Sequence, residues 1–114
     1  MLFGEVLKTA ESEGKEKHVP VIEVEKGEGG AGIVHVVVGK ETPHPNTVEH
    51  HIAWVELYGI KQDSGQVIAL GRVELAPSYT SPNIKFLVSV EQFKAFCAVS
   101  YCNIHGVWQN CLDV

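Results

Sequence analysis

The 114-residue chain has no cysteine before Cys97, a single methionine, no basic cluster and no long apolar run. Each absence excludes something. Without early cysteines there is no paired C-x-x-C module ahead of the last stretch of the chain. With 14 acidic against 9 basic residues, a net charge of −5 and no basic patch, nucleic acid is not an expected partner. A bilayer-spanning helix needs about 20 consecutive apolar residues, and no such run occurs. Met1-Leu2-Phe3-Gly4-Glu5 lacks the basic and long apolar regions of a secretory signal, so a cytoplasmic protein is expected. No G-x-G-x-x-G dinucleotide fingerprint following a strand is expected in the chain, so reducing equivalents have to come from elsewhere.

What is present points to a globular β protein. Apolar residues make up 45% and charged residues 20% of the chain, with valine and isoleucine abundant. The length fits one domain, residues 1–114, with residues 1–15 as an N-terminal arm that could hold a short helix. Alternating or continuous apolar runs predict strands at Val19–Glu25, Ile33–Val38, Ile52–Ile60, Gln66–Leu75, Ile84–Val90, Phe93–Ser100 and Val107–Leu112. The glycine-rich stretch from Gly27 to Gly32 reads as the turn of a hairpin, and Pro43 and Pro45 make Gly39–Glu49 an ordered loop. About seven short strands and no long helix predict an all-β sandwich.

The chemistry lies in the histidines and cysteines. Cys102-Asn103-Ile104-His105-Gly106 is a C-x-x-H turn that can offer one ion a sulfur and a nitrogen. His18, His44 and His50 each stand at a loop or loop–strand junction, where ligand-bearing loops can converge at one end of a sandwich. His35, inside an apolar strand, and His51, pointing opposite to His50, read as structural residues. One thiolate with several imidazoles is an unusual set for zinc and a natural one for iron. A zinc finger would need paired cysteine and histidine elements that do not occur. A Cys–His catalytic dyad lacks an evident oxyanion site. Three cysteines, Cys97, Cys102 and Cys111, are an odd number and a poor disulfide framework; Cys97, in an apolar run, reads as a buried inert thiol.

Three stretches in order resemble superoxide reductase of the one-iron, neelaredoxin-like type: Glu16-Lys17-His18-Val19-Pro20-Val21-Ile22, His44-Pro45-Asn46-Thr47-Val48-Glu49-His50-His51-Ile52-x-Trp54, and Ser100-Tyr101-Cys102-Asn103-Ile104-His105-Gly106-x-Trp108. The resemblance runs from Glu16 to Trp108. The N-terminal rubredoxin-like module of the two-iron desulfoferrodoxins has no counterpart here.

The resemblance implies an immunoglobulin-like seven-stranded sandwich holding one iron ion. His18, His44, His50 and His105 would be equatorial ligands and Cys102 the axial thiolate. Glu16 would match the carboxylate that takes the sixth position after oxidation, and Lys17 the cation that assists superoxide. It also implies a rubredoxin-like electron donor and a homo-oligomer, dimer or tetramer. Two other readings use the same residues: a non-catalytic iron or zinc module, structural or electron-transferring, and a superoxide dismutase.

Overall fold

The computed structural model describes residues 1–9 and 18–114. Seven strands form two antiparallel sheets: β1 (Pro20–Lys26), β2 (Gly32–Val38), β3 (Ile52–Lys61), β4 (Val67–Glu74), β5 (Asn83–Val88), β6 (Phe93–Cys102) and β7 (Gly106–Asp113). One sheet has the order β1-β2-β5 and the other β4-β3-β6-β7. β1 packs against β6 and β7 across the interior. A one-turn helix, α1 (Phe3–Val6), precedes them in the arm. The sandwich is the immunoglobulin-like one expected.

Strand alternation places the core. In β2, Val34, Val36 and Val38 face inward and are buried, whereas His35 faces out. β3 is central, as its apolar character on both faces predicts, and contributes Val55 and Leu57 to a core that includes Phe96 and Ala98 of β6. The simple alternation breaks in β4. A bulge where Leu57 and Tyr58 of β3 meet Gly71 and Ala69 gives β4 one extra residue, so its inward set runs Ile68, Leu70, then Val73.

Two strand ends depart from expectation by more than one residue. β5 ends at Val88, and Val90 falls in a 3-10 turn, Val90–Gln92, that leads into β6. β6 continues to Cys102, so that residue closes a strand and does not open a turn. Contrary to expectation, the spacing G-x-G-x-x-G does follow a strand, at Gly27, Gly29 and Gly32 after β1, but it joins β1 to β2 in a hairpin. No helix N-terminus follows it to receive a pyrophosphate. Among the described residues no helix is long and apolar enough to cross a membrane.

The cysteines also differ from expectation. Cys97 and Cys111 form a disulfide, and Cys97 is a half-buried residue facing outward rather than a buried thiol. Cys102 is the free, buried cysteine.

The fold sets up one end of the sandwich. Pro20 at the start of β1 pairs with Val38 at the end of β2, and Ile52 at the start of β3 pairs with Cys102 at the end of β6. The lead into β1, the β2–β3 loop and the β6–β7 turn therefore converge. Gly39 makes the loop possible. Its φ is +83°, and a Cβ there would lie 2.5 Å from the His44 backbone nitrogen.

Candidate metal centre

Each histidine of interest is delivered by one of those three connections. His18 and His44 are buried, and Cys102 is fully buried. The ligand atoms of His18, His44, His50 and Cys102 all lie within 4.8 Å of one another. His105 joins from the β6–β7 turn, with its Nδ1 3.1 Å from His18 Nε2 and 3.8 Å from Cys102 Sγ.

The four imidazoles close a ring. Centroids are 4.9 Å apart for His18–His44, 4.8 Å for His44–His50, 5.1 Å for His50–His105 and 4.7 Å for His105–His18, every contact edge-on. The order puts His18 opposite His50 and His44 opposite His105. Donors about 2.1–2.3 Å from a common first-row ion lie about 3 Å apart when adjacent and no more than about 4.5 Å apart across it. The observed spread is close to that, so the residues fit one ion with a four-nitrogen, one-sulfur donor set. The set exceeds zinc's usual four ligands.

Neighbouring groups fix each donor. His44 Nδ1 lies 2.7 Å from the Pro45 carbonyl. A carbonyl only accepts, so Nδ1 carries the proton and Nε2 keeps its lone pair for a metal. The His18 ring stacks on Trp108 at 4.7 Å and 13°, while the Ser100 hydroxyl donates to the His18 carbonyl at 3.3 Å. Cys102 Sγ accepts the His105 backbone N–H at 3.4 Å. Thr47 closes the turn leading to His50: its Oγ1 accepts the His50 N–H at 3.0 Å, and its own N–H donates to the His50 carbonyl at 2.9 Å.

Two further residues organise the site without ligating. Asn103 joins two of the connections. Its side chain accepts the His51 N–H at 2.8 Å and donates to the Glu49 carbonyl at 2.9 Å, and its backbone N–H donates to the His51 carbonyl at 3.1 Å. Lys8 ties the arm to the turn. It bridges β7 in parallel at Trp108, and its Nζ donates to the His105 carbonyl at 2.8 Å while lying 5.4 Å from the Trp108 ring centroid. Neither carries an obvious sequence signal, because an asparagine in a turn and a lysine in a polar arm are common. Losing supports of this kind lowers metal affinity about 10- to 100-fold. Asn103→Ala is expected to weaken ferrous-ion binding to that extent, measured by competition with a chelator, with little change in melting of the metal-free protein. Unchanged affinity would remove Asn103 from the centre.

His35 and His51 take the structural roles expected of them. His35 Nε2 hydrogen bonds the Asn83 side chain. His51 Nδ1 donates to the Thr47 carbonyl at 3.0 Å. Glu16 and Lys17 lie outside the described residues.

Comparison with known proteins gives a consistent result. Residues 10–111 match the family described as Desulfoferrodoxin. A superoxide reductase of Pyrococcus abyssi is 48% identical over 112 residues, covering 96% of each chain. A crystal structure of superoxide reductase in the oxidised state superposes with a TM-score of 0.89 at 40% identity, covering 99% of each chain. The reduced superoxide reductase (neelaredoxin) of Archaeoglobus fulgidus superposes with a TM-score of 0.85 at 44% identity, covering 96% of this chain and 98% of that one.

Proposed function

The chain belongs to the desulfoferrodoxin family, and we infer that it is a superoxide reductase, converting superoxide to hydrogen peroxide at one iron ion. The observation that carries this reading is the cluster of His18, His44, His50 and Cys102, with ligand atoms within 4.8 Å. We assign His18, His44, His50, His105 and Cys102 as the residues that would hold the ion. Once bound there, iron supplies the single electron that superoxide needs, and two protons complete the peroxide.

The chain's own groups provide the rest. Neutral imidazoles leave a ferrous ion's charge largely uncompensated, and the buried Cys102 sulfur supplies the one anionic donor. The anionic substrate meets a protein of net charge −5. Charges beyond about 8 Å are screened at physiological salt, so a local cation governs the final approach. We assign that role to Lys17, and to Glu16 the role of a carboxylate that would bind the iron after oxidation. Both assignments rest on the motif Glu16-Lys17-His18. Lys17→Glu is expected to slow the reaction with superoxide by about tenfold or more at low ionic strength, as read by pulse radiolysis; an unchanged second-order rate removes Lys17 from the mechanism. If Glu16→Ala leaves the oxidised spectrum and its pH dependence untouched, Glu16 is not the sixth ligand.

Continued turnover requires an external one-electron donor, which we take to be a small redox protein of the rubredoxin kind acting in the cytoplasm. Assembly as a homodimer or homotetramer belongs to the same reading. The deciding experiment measures product and donor together on iron-loaded protein. A reductase forms one peroxide per superoxide and stops when the donor runs out. A dismutase forms half as much peroxide, evolves oxygen and needs no donor. Colourless protein that binds only zinc refutes both.

A further inference from the structure

Cys97 and Cys111 stand apart from the metal cluster, yet their placement relates directly to it. They face each other across the β6–β7 ladder, with Cα atoms 4.1 Å apart. That spacing belongs to a cross-strand pair without mutual backbone hydrogen bonds, in which the two side chains stand closest together. The pair lies on the outer face of the sheet. Cys97 is half-buried and Cys111 exposed, whereas Phe96 and Ala98 beside Cys97 point into the core.

The covalent ring that this bond closes contains Cys102 and His105, both in the hairpin tip between the two cysteines. β7 is the edge strand of its sheet, laddered to β6 on one side and met on the other by the isolated bridge from Lys8 at Trp108. For the tip to open and let an ion go, β7 has to peel from β6. Local opening of that kind is ordinarily the least costly motion of an edge hairpin. A cross-link five residues back from Cys102 limits it.

We propose that Cys97 and Cys111 are a reversible dithiol–disulfide pair that clamps the metal-bearing hairpin, closed by hydrogen peroxide and opened by a dithiol reductant. The inference rests on the superoxide reductase reading only for the source of oxidant, since peroxide is that reaction's product. In the closing step one thiolate attacks peroxide, breaking the O–O bond to give a sulfenic acid and hydroxide, which takes up the proton the thiol released. The second thiol then displaces the sulfenic oxygen as water. Two thiols and one peroxide thus give one disulfide and two waters. In the opening step a reductant thiolate attacks the exposed Cys111 sulfur, and its second thiol resolves the mixed disulfide, so the reductant leaves as its own disulfide.

The test uses the full-length chain loaded with zinc, which has no redox chemistry of its own. One equivalent of peroxide added to the reduced protein should protect Cys97 and Cys111 from alkylation and lower the intact mass by two hydrogens. Zinc transfer to a chromogenic chelator should then be about tenfold or more slower than from the reduced protein, as expected when a 15-residue ring resists opening. The double variant Cys97→Ser/Cys111→Ser should match the reduced protein in transfer rate and be indifferent to peroxide. If both thiols stay alkylatable, or oxidise past the disulfide, the redox pair is overturned. Equal transfer rates for the closed and open forms overturn the clamp. Peroxide is added directly, so a chain with no superoxide reductase activity still closes its disulfide if the inference holds. A failure here leaves the stoichiometry of superoxide reduction untouched.

Discussion

Replacing Cys102 by serine abolishes the thiolate-to-iron absorption of the loaded protein and slows superoxide reduction by more than about 100-fold, beyond the range produced by changes around a metal site. The expectation follows from where the sulfur sits. Cys102 is fully buried at the end of β6 and is the one sulfur among the clustered ligand atoms. A serine hydroxyl stays protonated there and offers a neutral oxygen in place of an anionic, polarisable sulfur. The fold should survive. The His105 N–H that lies 3.4 Å from the sulfur can be accepted by a hydroxyl, and Ser100 on the same strand is already a buried hydroxyl with a carbonyl partner. Metal-free Cys102→Ser should therefore unfold cooperatively within about 1–2 kcal/mol of the parent. Cys111→Ser, which alters an exposed sulfur outside the cluster, is the control that should keep both the absorption and the rate. A Cys102→Ser protein that retains the band and reacts at the parental rate would falsify the ligand assignment.

How far the residues alone disclose this site depends on the range of the interactions. Ligand types and their loop positions are local properties, so His18, His44, His50 and the Cys102–His105 pair can be picked out along the chain. Asn103 cannot, because its partners Glu49 and His51 lie more than fifty positions away and are brought to it only by the β3–β6 ladder. Thr47 and Lys8 are ordinary polar residues until the turn and the arm are in place. The strands show the same limit. Period-two alternation identifies the buried face of β2, but in β4 the extra bulge residue changes the phase partway.

The disulfide teaches a different lesson. Counting three cysteines argues against a pair only when all three compete for partners, and the metal cluster removes one of them. Once the β6–β7 turn is placed between Cys102 and Gly106, each step back along β6 matches a step forward along β7. Five steps reach Cys97 and Cys111. The pairing is therefore contained in the turn, and cysteine parity alone does not disclose it.

Phe96→Ala is expected to lower stability by about 3–5 kcal/mol, the range for emptying a buried aromatic position. For a domain of this size that is a fall of about 10–20 °C in melting temperature. The surroundings of Phe96 favour the upper part of that range. Phe96 has no exposed surface, and its strand neighbours are Gly59 on β3 and Leu112 on β7. Gly59 has no side chain with which to fill the space. The Phe93 ring, 5.4 Å from that of Phe96, already occupies the room above Gly59, where a Cβ would meet it at 2.5 Å. Gly59 thus offers nothing to fill the cavity, so much of its volume persists. The effect should also be separable from the metal centre. Phe96 and Cys102 share β6 but stand six residues apart, about 20 Å along an extended strand, a distance at which energetic effects ordinarily add. Melting of the metal-free and iron-loaded proteins should show the same loss on mutation, added to whatever stabilisation the ion confers by binding the folded state. A loss under about 1 kcal/mol would mean that the core refills. A loss seen only in the loaded protein would mean that Phe96 supports the ligand cluster directly, and the core and the site would then have to be treated as one unit.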